Sequence, residues 1–281
     1  MKIYEALQWG ERKLKEAEVD NPRWDADLLL SQVMGWRREQ LYLEREGLLA
    51  NGQWESYQAL IIRRSAREPL QYILKNQEFM GLSFYVDERV LIPRADSEIL
   101  VEKLLEFKNS TTQARIRIAD LCTGSGALAV AIAHYWPEAS VVGTDLSSAA
   151  LEVASYNGQR NDVRVEWRKG DFCEPIRGER WDWIVSNPPY VPEEEYRSLA
   201  PEIFKEPEMA FVGAENGLIF YQCLAEEAAS LLNVEGKILM EIGWHQGQSV
   251  QNLFQKQGFK TQIFQDYGGR DRVVCAEFIM R

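Results

Sequence analysis

From residue 116 onward, short apolar runs that suit strands alternate with segments of helical period, and that alternation admits few folds. Strands are expected at 116–121, 140–144, 163–167, 183–186 and 236–242, with helices near 127–136, 147–157 and 218–232 between them. Strands linked in this way by crossover helices build a parallel sheet covered on both faces, the doubly wound arrangement. A last helix near 249–257 precedes runs at 259–264 and 273–278. Only residues 265–272 separate those two runs, too few for a helical crossover, so they are expected to pair antiparallel.

The chain before residue 76 has helical period throughout. Ile3, Leu7, Leu14 and Ala17 mark one helix. Asn21-Pro22 supplies a cap and a first-turn proline for a second, whose apolar stripe is expected to hold Trp24, Leu28, Leu29 and Val33, with Gly35 as its stop. A short helix over 37–43 follows, then one capped by Asn51 with Trp54, Tyr57, Ile61 and Arg64 on one side. Residues 1–75 therefore read as a small helical bundle with its own core. Residues 79–86 read as a hairpin turning near Gly81, inside a linker spanning 76–93. Asp96 or Ser97 is the expected cap of a helix through Leu105, closed by the polar stretch 108–113, so that 94–281 form the second domain.

Two strand ends carry the chemistry. The first strand runs into Asp120-Leu121-Cys122-Thr123-Gly124-Ser125-Gly126, and a G-x-G turn there lets the backbone approach a ligand closely. Asp145 ends the second strand about 20 residues on, the spacing at which a carboxylate meets a ribose diol. Asp171-Phe172 follows the third strand and offers a carboxylate and an aromatic face to an adenine. These residues specify an adenosine ligand without choosing between a dinucleotide and S-adenosylmethionine. Asp120, just before the turn, would repel a pyrophosphate and favour a cationic amino acid.

The fourth strand ends in Asn187-Pro188-Pro189-Tyr190, at the edge where open α/β sheets bind ligands. The prolines stiffen the turn and donate no N–H, so Asn187 Oδ1 and a main-chain carbonyl can stand as two convergent acceptors. Such a pair suits a planar –NH2 group, whether a carboxamide or the exocyclic amine of a base. An ordinary proline turn, with Tyr190 in the core, is the plain alternative.

Charge and composition exclude several classes. The formal net charge is −11, contrary to a protein that clamps a phosphate backbone with Lys and Arg. Around the turn, Glu193, Glu194, Glu195, Glu202, Glu206 and Glu208 face only Arg197 and Lys205, which would repel phosphate and attract a basic protein. No apolar run approaches the roughly 20 residues of a membrane span, and the N-terminus is charged where a signal peptide is apolar, so a cytoplasmic location is expected. Cys122, Cys173, Cys223 and Cys275 are scattered and the only histidines are His134 and His245, so no metal site is expected.

The whole chain resembles the release factor glutamine N5-methyltransferases (the PrmC/HemK type). The resemblance runs through Glu68–Ile73, Leu91-Ile92-Pro93-Arg94, the glycine turn, Asn187–Tyr190, Glu206-Pro207, Gly217-Leu218, Glu241-Ile242-Gly243 and Gly268–Arg272. It implies a class I S-adenosylmethionine-dependent methyltransferase fold, Rossmann-like, with a mostly parallel sheet, an antiparallel last strand and an N-terminal helical bundle. It further implies that Cys122, Thr123, Gly124, Ser125, Gly126, Asp145, Asp171, Phe172 and Asn187 bind S-adenosylmethionine. Asn187, Pro188, Pro189 and Tyr190 would hold, and act on, the glutamine of the Gly-Gly-Gln motif in class 1 peptide chain release factors. The chain departs from the family pattern at Ala95, where a second proline is usual, at Ser97 in place of Thr, at Cys122 for Gly and at Phe172 for Trp. Methylation of a ribosomal protein's glutamine, or of adenine N6 in nucleic acid, are the alternatives, and a non-catalytic binding protein is a third. No direct nucleic-acid or membrane partner is expected, and the oligomeric state stays open.

Overall fold

The alternation of runs is realised as one large sheet. In the computed structural model, residues 1–108 and 115–278 are described, so the expected loop 108–113 lies outside them beyond its first residue. Numbered along the chain, β1 (Gln77–Phe79) and β2 (Leu82–Phe84) form the antiparallel hairpin. The large sheet comprises β3 (Arg117–Leu121), β4 (Ser140–Asp145), β5 (Glu166–Lys169), β6 (Trp181–Ser186), β7 (Leu232–Glu241), β8 (Phe259–Gln265) and β9 (Asp271–Phe278). Its order is β5-β4-β3-β6-β7-β9-β8, parallel except for β9, which runs antiparallel to both neighbours. The last strand in sequence is thus the antiparallel one, inserted between β7 and β8.

Alternate strand residues feed two separate cores, as buried parallel strands must. Ile118, Val141, Trp183, Val185 and Leu239 face the helices Glu98–Lys108 and Ala127–Tyr135. Ala119, Leu121, Val142, Ile184 and Met240 face Ile219–Leu231 and Gly247–Lys256. The third strand of the sheet begins at Glu166 rather than 163. Val163 still donates its N–H to the Gly158 carbonyl at the end of the preceding helix, and pairing with β4 starts at Val142 opposite Glu166.

The chain divides into two units, Met1–Asn76 with Ala200–Lys205, and Gln77–Leu199 with Glu206–Arg281. In the first, the helices Ile3–Glu16, Pro22–Met34 and Asn51–Ser65 close over Ile3, Ala6, Leu14, Leu29, Leu30, Tyr57 and Ile61. The stripe expected on the second helix holds at Leu28, Leu29 and Val33, which pack on this core, and is corrected at Trp24. Trp24 is exposed beneath Arg38, whose guanidinium lies 4.4 Å from the ring centroid, while Asp25, Ala26 and Asp27 turn inward. Those buried carboxylates are held by partners: Asp25 by Arg64 at 2.7 Å, and Asp27 by Arg38 at 2.7 Å and the Tyr42 hydroxyl at 2.6 Å. Charge pairing, which no hydrophobic period reports, sets that helix's rotation. Asn51 is the first helical residue rather than a cap, since Gln53 Oε1 accepts the Ala50 N–H at 2.9 Å instead. Gly35 does end its helix, in the left-handed region at φ 64°.

Candidate active site

β3 and β6 are adjacent although β4 and β5 lie between them in sequence, so their C-terminal ends open the switch-point crevice where such sheets bind ligands. Leu121 pairs with Ser186, and the Ser186 hydroxyl donates to the Leu121 carbonyl at 2.8 Å. The glycine loop and the Asn-Pro-Pro-Tyr turn consequently leave the sheet side by side.

The loop is cinched by two carboxylates. Asp120 Oδ2 accepts from the Thr123 hydroxyl at 2.5 Å and from the Ala129 N–H at 3.2 Å. Asp145 accepts the Gly124 N–H at 2.9 Å on one oxygen and the Ser147 N–H at 2.9 Å on the other. Cys122 is left-handed at φ 58°, which accounts for glycine being commoner at that position in the family it resembles. Gly126, at φ 81°, has no room for a side chain, because a Cβ would stand 3.0 Å from both Ala154 and Trp167. Asn157, fully buried, donates to the Ser125 carbonyl at 2.9 Å and exchanges two bonds with the Tyr85 backbone, tying the strand-like segment after the hairpin to the loop.

One cleft gathers most of the expected residues. Cys122, Thr123, Gly124, Ser125, Asp145, Asp171, Phe172, Asn187 and Pro189 line it, whereas Gly126, Pro188 and Tyr190 do not. Phe172 meets Phe220 edge-on, with centroids 5.0 Å apart, and both line the cleft. Asp120 lines nothing. It is fully buried beneath the loop, so the expectation that it faces a cationic ligand is replaced by a structural duty. Burial pushes its carboxyl up to about 7 against the pull of the Thr123 and Ala129 hydrogen bonds. Burial also raises Asp145, opposed by the N–H groups of Ser147 and Gly124.

The cationic side chains of the cleft are spent. Arg94 is held by Glu206 at 2.5 Å, and Arg89 by Asp87 at 2.7 Å and Glu152 at 3.1 Å. That leaves Asp145 and Asp171 without a counter-cation in the cleft among the described residues, an acceptor set hostile to a pyrophosphate and suited to a nucleoside with a net positive charge. The Thr144 hydroxyl, also lining the cleft, is buried without a hydrogen-bond partner among the described residues. The cleft therefore fits S-adenosylmethionine on chemistry.

The acidic run is less free than its sequence suggests. Glu206 is buried and also accepts the Ile92 N–H at 2.9 Å, fastening residues 92–94 at the cleft. Glu202 is claimed, within the first unit, by Arg64 at 2.9 Å and Arg67 at 2.7 Å. Glu194, Glu195 and Glu208 remain exposed.

The turn is supported by side chains that local sequence reasoning missed. Asn187 Nδ2 donates to Ser97 Oγ at 3.1 Å, and Ser97 in turn donates to Glu241. The Tyr190 hydroxyl donates to the other Glu241 oxygen at 3.0 Å, and Gln246 Nε2 donates to the Tyr190 carbonyl at 3.0 Å. Ser97 is thus not the helix cap the sequence suggests. It closes a 3-10 turn, Ala95–Ser97, and aims its hydroxyl at β7. The available signal was Glu241, an acidic residue ending a buried strand beside the switch point.

Residues 5–74 match the family model described as the PrmC N-terminal domain, and residues 95–213 the one described as the methyltransferase small domain. The chain is 40% identical over 280 residues to a release factor glutamine methyltransferase of Moorella thermoacetica, covering 98% of each. It is 39% identical over 274 residues to one of Geobacter sulfurreducens, covering 97% of this chain and 95% of that one. A solved methyltransferase from Pyrococcus furiosus superposes with a TM-score of 0.53 over 78% of this chain and 96% of that chain, at 19% identity, a likeness of fold alone.

Proposed function

The chain belongs to the release factor glutamine methyltransferases, and from that premise we propose how its own residues methylate the side-chain amide nitrogen of the Gly-Gly-Gln glutamine in class 1 peptide chain release factors. The methyl donor is S-adenosylmethionine, which when bound supplies a sulfonium methyl group that leaves with its sulfur taking back the bonding pair. Asp145 and the turn from Cys122 to Gly126 hold its adenosine and amino acid parts, with Asp171 and Phe172 at the adenine.

The chemical difficulty is the nucleophile. An amide nitrogen has its lone pair delocalised into the carbonyl. Asn187 Oδ1 and a main-chain carbonyl of the same turn accept its two hydrogens, which aims the nitrogen at the methyl group and stabilises the positive charge that grows on it. Transfer would make the N–C bond at the expense of the donor's C–S bond, and the surplus amide proton would pass to solvent. Pro189 shapes the cleft wall. Tyr190 braces the turn through its hydroxyl and carbonyl.

The observation that carries this reading is the place of Asn187 at the switch point, where it lines the cleft and gives its NH2 to Ser97, so that its oxygen is not used by that bond. The helical domain 1–75 recognises the protein substrate, and the setting is the cytoplasm, where release factors work without the enzyme touching nucleic acid. Incubation with labelled donor and either a class 1 release factor, ribosomal proteins or DNA tests the assignment. Label is expected on the release factor glutamine, and label on DNA alone overturns it.

A further inference from the structure

Three residues from segments far apart in the chain connect to Asn187, Ser97 lining the same cleft and Glu241 and Arg272 lying outside its lining, and the proposed reaction has so far given none of them a role of its own. Ser97 precedes the helix Glu98–Lys108, Glu241 ends β7, and Arg272 lies in β9. Glu241 is 2% exposed, Ser97 4% and Arg272 8%. A buried carboxylate and hydroxyl at these positions need a reason, since unpaired they would destabilise the core.

The reason lies in the direction of the hydrogen bonds. A carboxylate only accepts, and a hydroxyl has a single hydrogen to give. Ser97 gives that hydrogen to Glu241, so toward Asn187 it can only accept. The Asn187 amide must then present Nδ2 to Ser97, which it does at 3.1 Å, and its Oδ1 is left over. A primary amide has nearly the same shape either way round, so without this chain the flipped orientation would set a donor against the donor hydrogens of the substrate. We propose that Glu241 and Ser97 are positioning residues that fix the polarity of the Asn187 amide, keeping its oxygen toward the substrate nitrogen. This rests on the reading of Asn187 as an acceptor.

The other contacts of Glu241 favour its ionised, accepting form against burial, which raises its carboxyl. Tyr190 donates to its second oxygen at 3.0 Å. The charge of Arg272, itself held by Asp96 at 3.0 Å and Asp266 at 3.2 Å, opposes the burial that favours the neutral acid. One carboxylate thereby orients both ends of the Asn-Pro-Pro-Tyr turn.

The test uses the full-length enzyme with labelled donor and release factor, comparing Ser97→Ala, Ser97→Thr, Glu241→Gln and the double variant Ser97→Ala/Glu241→Gln. Ser97→Ala and Glu241→Gln are each expected to lower kcat about 10- to 100-fold, the range for partners that orient a reacting group, with the donor Kd changed by no more than about threefold. Ser97→Thr keeps the hydroxyl and is expected to restore most of the turnover. Because Glu241 reaches Asn187 through Ser97, and the glutamine of Glu241→Gln keeps an oxygen to accept from Tyr190, the double variant is expected to match Ser97→Ala alone. Wild-type kcat in Glu241→Gln, single effects that multiply in the double variant, or a Thr variant as poor as the Ala variant would each overturn the proposal. Asn187→Ala run alongside separates the two levels. If it loses turnover while Ser97→Ala keeps it, the polarity relay alone fails; if it keeps turnover, the acceptor reading fails.

Discussion

The backbone N–H of Gly124 donates to Asp145 Oδ2 at 2.9 Å, so the end of β4 holds the glycine loop that leaves β3. Ser147 occupies the other carboxylate oxygen in the same way. Asp145 therefore arrives at the cleft already oriented, with lone pairs to spare for a ribose diol. Asp145→Ala is expected to weaken donor binding about 10- to 100-fold, the scale of a charge-assisted hydrogen bond and its lost preorganisation. At saturating donor kcat should fall much less. Calorimetric Kd and a kcat against KM comparison check this, and an unchanged Kd would refute the ribose role.

Asn187→Ala should give the opposite pattern. Removing one preorganised group aimed at developing charge costs about 100- to 1,000-fold in kcat. The donor Kd should change little, because the adenosine part is held by the other strand ends. Single-turnover methylation under saturating donor is the measurement, and near-wild-type rates would falsify the mechanism.

These two side chains were legible in the sequence because each sits at the end of an apolar run, and the switch-point rule brings such ends together. The residues that orient them were not. Ser97 lies 90 positions from Asn187 and 144 from Glu241, so no local spacing announces their contact. Trp24 failed for a related reason: a hydrophobic period cannot foresee that Asp25 and Asp27 will be buried by distant arginines. Asp120 is conspicuous in the sequence but its duty is not, since its position before the turn does not say whether the carboxyl points to the cleft or beneath it. The β9 insertion was only half legible. The short connection predicts antiparallel pairing with β8, but not that β9 would also pair with β7.

Gly217 is left-handed at φ 78°, and a Cβ there would stand 2.0 Å from the Tyr190 carbonyl oxygen and 2.8 Å from Gln246 Nε2. Gly217→Ala must therefore push the turn off Gln246, which now holds the Tyr190 carbonyl. Overpacking of this kind costs about 1–3 kcal/mol of stability. Here part of the strain should emerge as a kcat loss at unchanged donor Kd, because Asn187 rides on the displaced turn. A variant with a lowered Tm but intact kcat would show that the turn and Gly217 move independently.

Glu241 gives the reaction an acid limb. Burial pushes its carboxyl up first, while the Ser97 hydrogen bond, the Arg272 charge and the Tyr190 hydrogen bond pull it back and Asp96 adds repulsion. Only the ionised form is restricted to accepting. As pH falls through the raised value, protonation frees Ser97 to reverse its donation, so kcat should decline at a pH above the ordinary glutamate range of about 4.3. Glu241→Gln, which has no proton to gain, should lack that limb. The kcat profile of both enzymes at saturating substrates, from about pH 4 upward, measures it. Superimposable profiles would assign the limb to another group.

Asp120 makes a separate prediction about stability. In the folded protein its carboxyl titrates at about 7, raised by burial, whereas in the unfolded chain it reverts to about 3.9. Between those values the folded state binds more protons than the unfolded one, so stability falls as pH rises through that window and is greatest below it. Asp120→Asn keeps an oxygen to accept from Thr123 and Ala129 but has no charge to bury. Its stability relative to the wild type should therefore rise as pH increases from about 4 to about 7, and level off beyond. Denaturant unfolding of both proteins across that range gives the difference directly, with parallel pH dependences as the contrary result. The same carboxylate that tightens the glycine loop would then be identified as one that costs stability at neutral pH, consistent with a loop held under strain at Cys122.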